Sequence, residues 1–191
     1  MRRSAREVAR VPRANVAGLW ERHVSATYSS RALQGSAHGG RWGPANGFPV
    51  IYLGRPTASV VVEAYRHLID PFEGMRTEYL QPRVLVTCQV DTKNVLDLRS
   101  SEHRLQVGLS DDDITSAVGD YEACVQVGSI AHQLGCHGVI APSATGLGET
   151  LALFPHHLPV DELPVPVSQV IWEALPADPR RPRLVRSVGL D

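Results

Sequence analysis

Helix and strand signals are interspersed along this 191-residue chain without regular βαβ alternation, which points to an α+β fold rather than a layered α/β one. Residues 48–54, Phe-Pro-Val-Ile-Tyr-Leu-Gly, read as a short buried strand closed by glycine. Pro56 and Thr57 then open a helix predicted to run to about Leu68. Its apolar stripe is Val60, Val61, Ala64 and Leu68, and Glu63 falls on the flank beside Arg66 and His67. Residues 84–90 form a strong strand signal and 95–98 a weaker one. Ser110 followed by Asp111, Asp112 and Asp113 marks a helix N-terminus, where the dipole favours acidic side chains. Residues 121–134 are apolar on nearly every side, which predicts a buried helix. Two more strands, 138–141 and 150–154, bracket the small-residue loop 142–148. The proline-rich stretch 155–166 leads to a last strand at 167–172. With 43% apolar and 20% charged residues, the chain has the composition of one domain with a full core.

Several function classes drop out at once. The formal net charge is −1, which argues against coating nucleic acid by bulk charge. Of the 19 cations only Lys93 is lysine, and no Gly-Lys pair occurs, so the P-loop NTPases are excluded. There is no G-x-G-x-x-G, because Gly146-Leu147-Gly148 runs into Glu149-Thr150-Leu151 and an apparent strand. The G-x-S-x-G elbow and H-E-x-x-H are missing too, and His156-His157 on consecutive residues would diverge, so no metal site is expected. Cys88, Cys124 and Cys136 sit in strand or helix stretches, as small buried thiols do. No run of about 18 apolar residues suggests a membrane span, and no apolar segment follows the arginines of the first thirteen residues. A reduced cytoplasmic protein is expected. Residues 1–16 read as a basic N-terminal arm, either a solvated terminus or an amphipathic helix, of which the solvated terminus is taken here. Residues 17–191 form the domain.

What remains for chemistry is scattered. Arg22 and Arg41 offer planar, always-charged forks suited to a phosphate or pyrophosphate. The glycines before Arg41 would let a ligand approach the backbone, and Trp42 is a stacking or core residue. Tyr52 lies on a buried strand, Glu63 on the next helix, Ser143 in a late loop. Taken singly, each has an ordinary alternative: surface arginine, core tyrosine, solvated helix charge, turn serine. His132 shares a helix face with Tyr121, Val125 and Gly128 and reads as a hydrogen-bonded core histidine. The residues alone suggest an anionic, ring-bearing ligand.

Their order says more. Trp20-Glu21-Arg22-His23 precedes a Ser-rich segment, then Gly39-Gly40-Arg41-Trp42-Gly43-Pro44. Tyr52 follows Arg41 by eleven residues and Glu63 follows Tyr52 by eleven. Gly138-Val139-Ile140-Ala141-Pro142-Ser143 and Leu151-Ala152-Leu153-Phe154 come near the end. From about Leu19 to Phe154 this resembles the RES-domain family, the toxin half of Res–Xre toxin–antitoxin pairs. The resemblance implies a single domain related to the ADP-ribosyltransferase toxin fold. It implies depletion of NAD+ by cleavage of the nicotinamide–ribose bond, with inorganic phosphate or water as co-substrate and no other cofactor. It also implies a helix-turn-helix, Xre-like antitoxin that forms a hetero-oligomer with the toxin, with DNA met only through that antitoxin. Carried over, Arg22 and Arg41 match the phosphate-gripping arginines, Tyr52 the ring-stacking tyrosine, Glu63 the glutamate and Ser143 the serine. Glu63, Arg41 and Tyr52 are thereby the catalytic set, and Arg22, Arg41, Tyr52 and Ser143 bind substrate. The chain departs from the pattern twice, with Glu21-Arg22-His23 where Tyr-Arg-Tyr is common and Gly43 where asparagine is usual. Two alternatives stand beside this reading. One is ADP-ribosyl transfer to a macromolecule, with Glu149 as a competing carboxylate. The other is a silent module that only binds an antitoxin.

Overall fold

The computed structural model describes residues 4–181; Arg2, Arg3 and residues 182–191 of the expected domain lie outside them. Helix α1 (Ala5–Arg10) leads into strand β1 (Arg13–Ser25), then β2 (Ile51–Arg55), α2 (Thr57–Leu68) and β3 (Arg83–Asp97). Three further helices, α3 (Ser101–Gln106), α4 (Asp111–Thr115) and α5 (Glu122–Gln133), precede β4 (Gly138–Pro142), β5 (Glu149–Leu153) and β6 (Val165–Trp172). The mixed α+β composition is as expected from the sequence, and so are α2 and the helix over 121–134.

Two elements differ from expectation. The solvated arm up to Val16 is instead built into the fold. Ser4 and Glu7 form a capping box on α1, and Val8, Val11 and Val16 are buried among the arginines that dominate the segment's composition. Strand β1 begins at Arg13 and runs through the proposed boundary. The second difference is β3, read as two strands and found as one. Asp91-Thr92-Lys93-Asn94 resembles a turn, yet Asp91 and Lys93 point to solvent while Thr92 is fully buried, its hydroxyl donating to the Glu162 carbonyl at 3.2 Å. The strand bends rather than ends there. Its register with β1 shifts between Ala14 and Val16, and Asn94 takes a left-handed φ of 53°.

The strands run in the order β1-β2-β5-β4-β3, and β3 pairs back onto β1, which closes a five-stranded barrel. Strand β3 is long enough to serve two neighbours on its other edge: β6 pairs with Arg83 to Gln89, and β4 pairs in parallel with Val95 to Asp97. Side chains alternate across the wall. Trp20, Ile51, Leu53, Cys88, Ile140 and Leu151 from all five barrel strands form one buried cluster inside. Val139, Ala141 and Ala152 face outward and pack with Val8, Val127 and Ala131 of α1 and α5. The α2 stripe of Val60, Val61 and Ala64 meets Leu85, Trp172 and Leu175 in a third cluster. All three cysteines are buried thiols outside any disulfide.

Candidate active site

The barrel is not equally tight all round. β1 and β2 pair only at Glu21 opposite Gly54, so the wall parts on either side of that contact. A cavity of about 240 Å³ opens there, and Arg22, Arg41, Tyr52, Glu63 and Ser143 all line it. Residues separated by up to 121 positions thus share one wall, supplied by β1, the 39–44 loop, β2, α2 and the loop after β4.

Each side chain is held differently. Arg22 donates from Nη1 to the carbonyls of Ala32 at 2.9 Å and Gln34 at 3.3 Å. Burial lowers its pKa from the ordinary arginine value, but a guanidinium starts so high that it stays charged. Arg41 donates from Nη1 to the Asp113 carbonyl and the Ser116 hydroxyl, both at 2.8 Å, and from Nη2 to the Ser116 carbonyl at 3.1 Å. Its guanidinium lies 4.5 Å from the ring centre of Tyr121. The segment after α4 is therefore a wall fastened by Arg41.

Tyr52 follows the strand alternation: Ile51 and Leu53 point into the barrel, so its ring points out and toward the cavity. Its hydroxyl accepts the backbone N–H of Trp42 at 3.0 Å, and burial pushes its phenol above the usual value. The glycine before Arg41 also makes room for this ring, because a Cβ on Gly40 would lie 2.6 Å from the Tyr52 hydroxyl. Trp42 is core, 1% exposed, and its carbonyl lies so close to α5 that a Cβ on Gly128 would collide with it at 2.2 Å. The departure at Gly43 has a steric reason of the same kind, since a Cβ there would meet Val50 at 2.6 Å.

Glu63 stands one turn after Ser59 and one before His67, so all three share a stripe of α2 along the cavity. Its Oε1 lies 3.5 Å from Nδ1 of His67 and its Oε2 3.7 Å from Nε of Arg66. Neither is a hydrogen bond, and Oε2 is buried without a hydrogen-bond partner among the described residues. Ser143, 4% exposed, sits in a triangle of hydroxyls with Ser59 and Thr145, all three separations between 2.9 and 3.0 Å.

The RES domain model matches residues 11–175. The chain belongs to the RES domain family. It is 36% identical over 110 residues to proteins named NAD(+) phosphorylase MbcT from Mycobacterium tuberculosis and Mycobacterium bovis. That match spans 58% of this chain and 58% of each of those relatives. The crystal structure of the M. tuberculosis MbcT–MbcA toxin–antitoxin complex is similar at a TM-score of 0.76 and 27% identity, covering 88% of this chain and 91% of that one.

Within this RES domain, other residues line the cavity without having been assigned a role from sequence: Glu21, His23, Ser59, His67, Tyr121 and Thr150. The i±4 spacing of Ser59 and His67 from Glu63 was the available signal for two of them. Tyr121 and Thr150 arrive through tertiary packing, which no local pattern encodes. Glu149 is elsewhere. It pairs with Arg55 at 2.7 Å and approaches Arg99 at 3.8 Å, outside the cavity lining. His132 also differs from expectation. It stacks on Phe48 with ring centres 3.8 Å apart, and its buried Nε2 has no hydrogen-bond partner among the described residues.

Proposed function

We infer that this RES domain cleaves the nicotinamide–ribose bond of NAD+ and transfers the ADP-ribosyl group to inorganic phosphate. The observation that carries the reading is the convergence of the Glu63 carboxylate with the guanidinium groups of Arg22 and Arg41 on the wall of one cavity. As the C–N bond breaks, its electron pair leaves with nicotinamide, which departs neutral and needs no acid. Positive charge then builds on the ribose. A carboxylate against that ring stabilises the charge, and Glu63 takes this role. Arg22 and Arg41 hold the pyrophosphate, so that binding energy from the remote half of the dinucleotide fixes the scissile bond. Tyr52, its ring set by Gly40 and Trp42, stacks on nicotinamide. A phosphate oxygen then bonds to the ribose carbon to give ADP-ribose-1″-phosphate, with Ser143 in the wall that seats this acceptor. The chemistry calls for no metal or prosthetic group. The names of the MbcT relatives support phosphate over water as acceptor.

The same reading makes the chain the toxin of a toxin–antitoxin pair, by analogy with the MbcT–MbcA toxin–antitoxin complex. The partner is a helix-turn-helix, Xre-like antitoxin that covers the cavity and forms a hetero-oligomer, and DNA is met through that partner. The same reading takes the barrel to be related to the ADP-ribosyltransferase toxin fold. The site of action is the cytoplasm, and no helix among the described residues is long and apolar enough to cross a membrane. The test is to incubate purified chain with NAD+, with and without phosphate, and to follow nicotinamide chromatographically and the sugar product by phosphorus NMR. Phosphate-dependent ADP-ribose-1″-phosphate is expected. Free ADP-ribose in both buffers would make water the acceptor, and no nicotinamide in either would end the reading.

A further inference from the structure

His23 lines the cavity one residue after Arg22 and has no role in the reaction as derived above. Strand register explains its surroundings. His23 lies opposite Leu85 and Ser25 opposite Arg83, which makes Arg83 a diagonal neighbour of His23, within reach of a long side chain. On its other edge Arg83 pairs with Trp172 of β6. The Trp172 ring stacks on His23, centres 6.2 Å apart and planes 18° from parallel. Both Nε of Arg83, at 3.2 Å, and Nη2, at 3.0 Å, contact the same atom, Nδ1 of His23. A guanidinium has donors and no acceptor. Nδ1 is therefore the bare nitrogen, and the proton of the neutral ring sits on Nε2.

We propose that Arg83 fixes His23 as an uncharged Nε2–H donor to an oxygen of the substrate bound in the cavity. The identity of the substrate rests on the NAD+ reading; the tautomer does not. Charge explains why a neutral donor suits the place. Arg22 on β1 and Arg83 on β3 already bring two cations to the ring, while α2 presents His67 and Glu63. A protonated His23 would add another cation beside a ribose that is itself becoming positive, whereas a neutral ring supplies a hydrogen bond without that repulsion. The environment enforces neutrality: burial first, then Arg83, His67 and Arg22, push its pKa down to about 3. His23 is thus a substrate-binding residue and Arg83 a positioning residue.

The experiment reads the ring directly. Long-range proton–nitrogen spectra of ¹⁵N-histidine-labelled full chain are recorded from pH 5.5 to 8, then again with ADP-ribose added. One ring should show the Nε2–H tautomer, fail to titrate, and shift with ADP-ribose. Its signals should vanish in His23→Asn, and in Arg83→Met the ring should lose its fixed tautomer, with the Nδ1–H form appearing beside Nε2–H. An Nδ1–H ring, or titration near the ordinary histidine value, would overturn the tautomer. No shift with ADP-ribose would overturn the substrate contact. In turnover, His23→Phe should raise KM about tenfold or more, the scale of a lost hydrogen bond to a charged group, and His23→Asn should recover most of that loss by restoring an N–H. Equal KM values for the Phe and Asn variants would remove the donor role. If wild-type chain releases no nicotinamide, the NAD+ reading fails, and the ring spectra with ADP-ribose still decide the claim for His23.

Discussion

Along its β3 edge, β1 is paired from Arg13 opposite Leu96 to Ser25 opposite Arg83, while along its β2 edge it is paired only at Glu21 opposite Gly54. One strand thus forms the firmest seam of the barrel and the seam that opens into the cavity. The closed side carries fully buried apolar residues such as Trp20, Cys88 and Val90. At the open side Glu21 and Glu63 each keep a buried carboxylate oxygen without a hydrogen-bond partner among the described residues. Unpartnered buried oxygens are unfavourable. The difference teaches that rigidity and reactivity are divided between the two edges of a single element, with the paired edge holding the other in place.

The comparison can be broken first at the closed seam. Trp20→Ala empties the barrel interior and should cost about 3–5 kcal/mol, read as a large fall in the denaturation midpoint; a loss below about 1 kcal/mol would mean the barrel does not depend on its interior. At the open seam the effect should be on rate instead. Glu63→Gln should lower nicotinamide release by about 10²-fold or more, the scale of losing one charge-stabilising group, with an unchanged melting temperature. A fully active Glu63→Gln enzyme would sink its assigned role. A smaller effect sharpens the picture through pH. His23 is held neutral in the folded chain, but in the unfolded chain it protonates below its ordinary value near 6.5. The unfolded state then binds more protons, so His23's contribution is intact above pH 6.5 and declines as pH falls toward about 3, by at most about 1.4 kcal/mol per unit. Denaturation midpoints of wild type and His23→Asn should converge over that window. The smallest effect is expected at Glu149, outside the cavity. Glu149→Gln removes a half-exposed ion pair worth about 1 kcal/mol or less and should leave turnover unchanged; a dead Glu149→Gln would restore it as the catalytic carboxylate.

Much of this molecule was legible in its sequence, but unevenly. α2 was readable because its valines and alanine repeat at helical spacing and Pro56 marks its start. β1 was not, because Glu21, Arg22 and His23 interrupt the alternation at the point where the wall parts to make a site. Polar residues that line the cavity stand there in place of the apolar ones that announce a strand. The N-terminal valines were hidden in the same way by the arginines around them. The five candidate residues that share the cavity wall were singled out by their order along the chain, whereas their partners follow from packing. That Arg41 would be fastened to the carbonyls of Asp113 and Ser116 had no local sign.

The hydroxyl triangle behind Ser143 has a valence, and it is full. A hydroxyl oxygen has one hydrogen to give and two lone pairs to fill. Ser59 gives its hydrogen to Ser143, Thr145 gives its own to the Leu147 carbonyl at 3.3 Å, and Ser143 therefore supplies the contact to Thr145. The Thr145 backbone N–H occupies the remaining lone pair of Ser143 at 3.3 Å. A ligand can reach this oxygen only by exchange, with one bond surrendered for each bond formed. Ser143 therefore adds little to binding strength on its own account. What the hydroxyl cluster contributes is shape, because it ties the loop after β4 to the first turn of α2, the helix that carries Glu63.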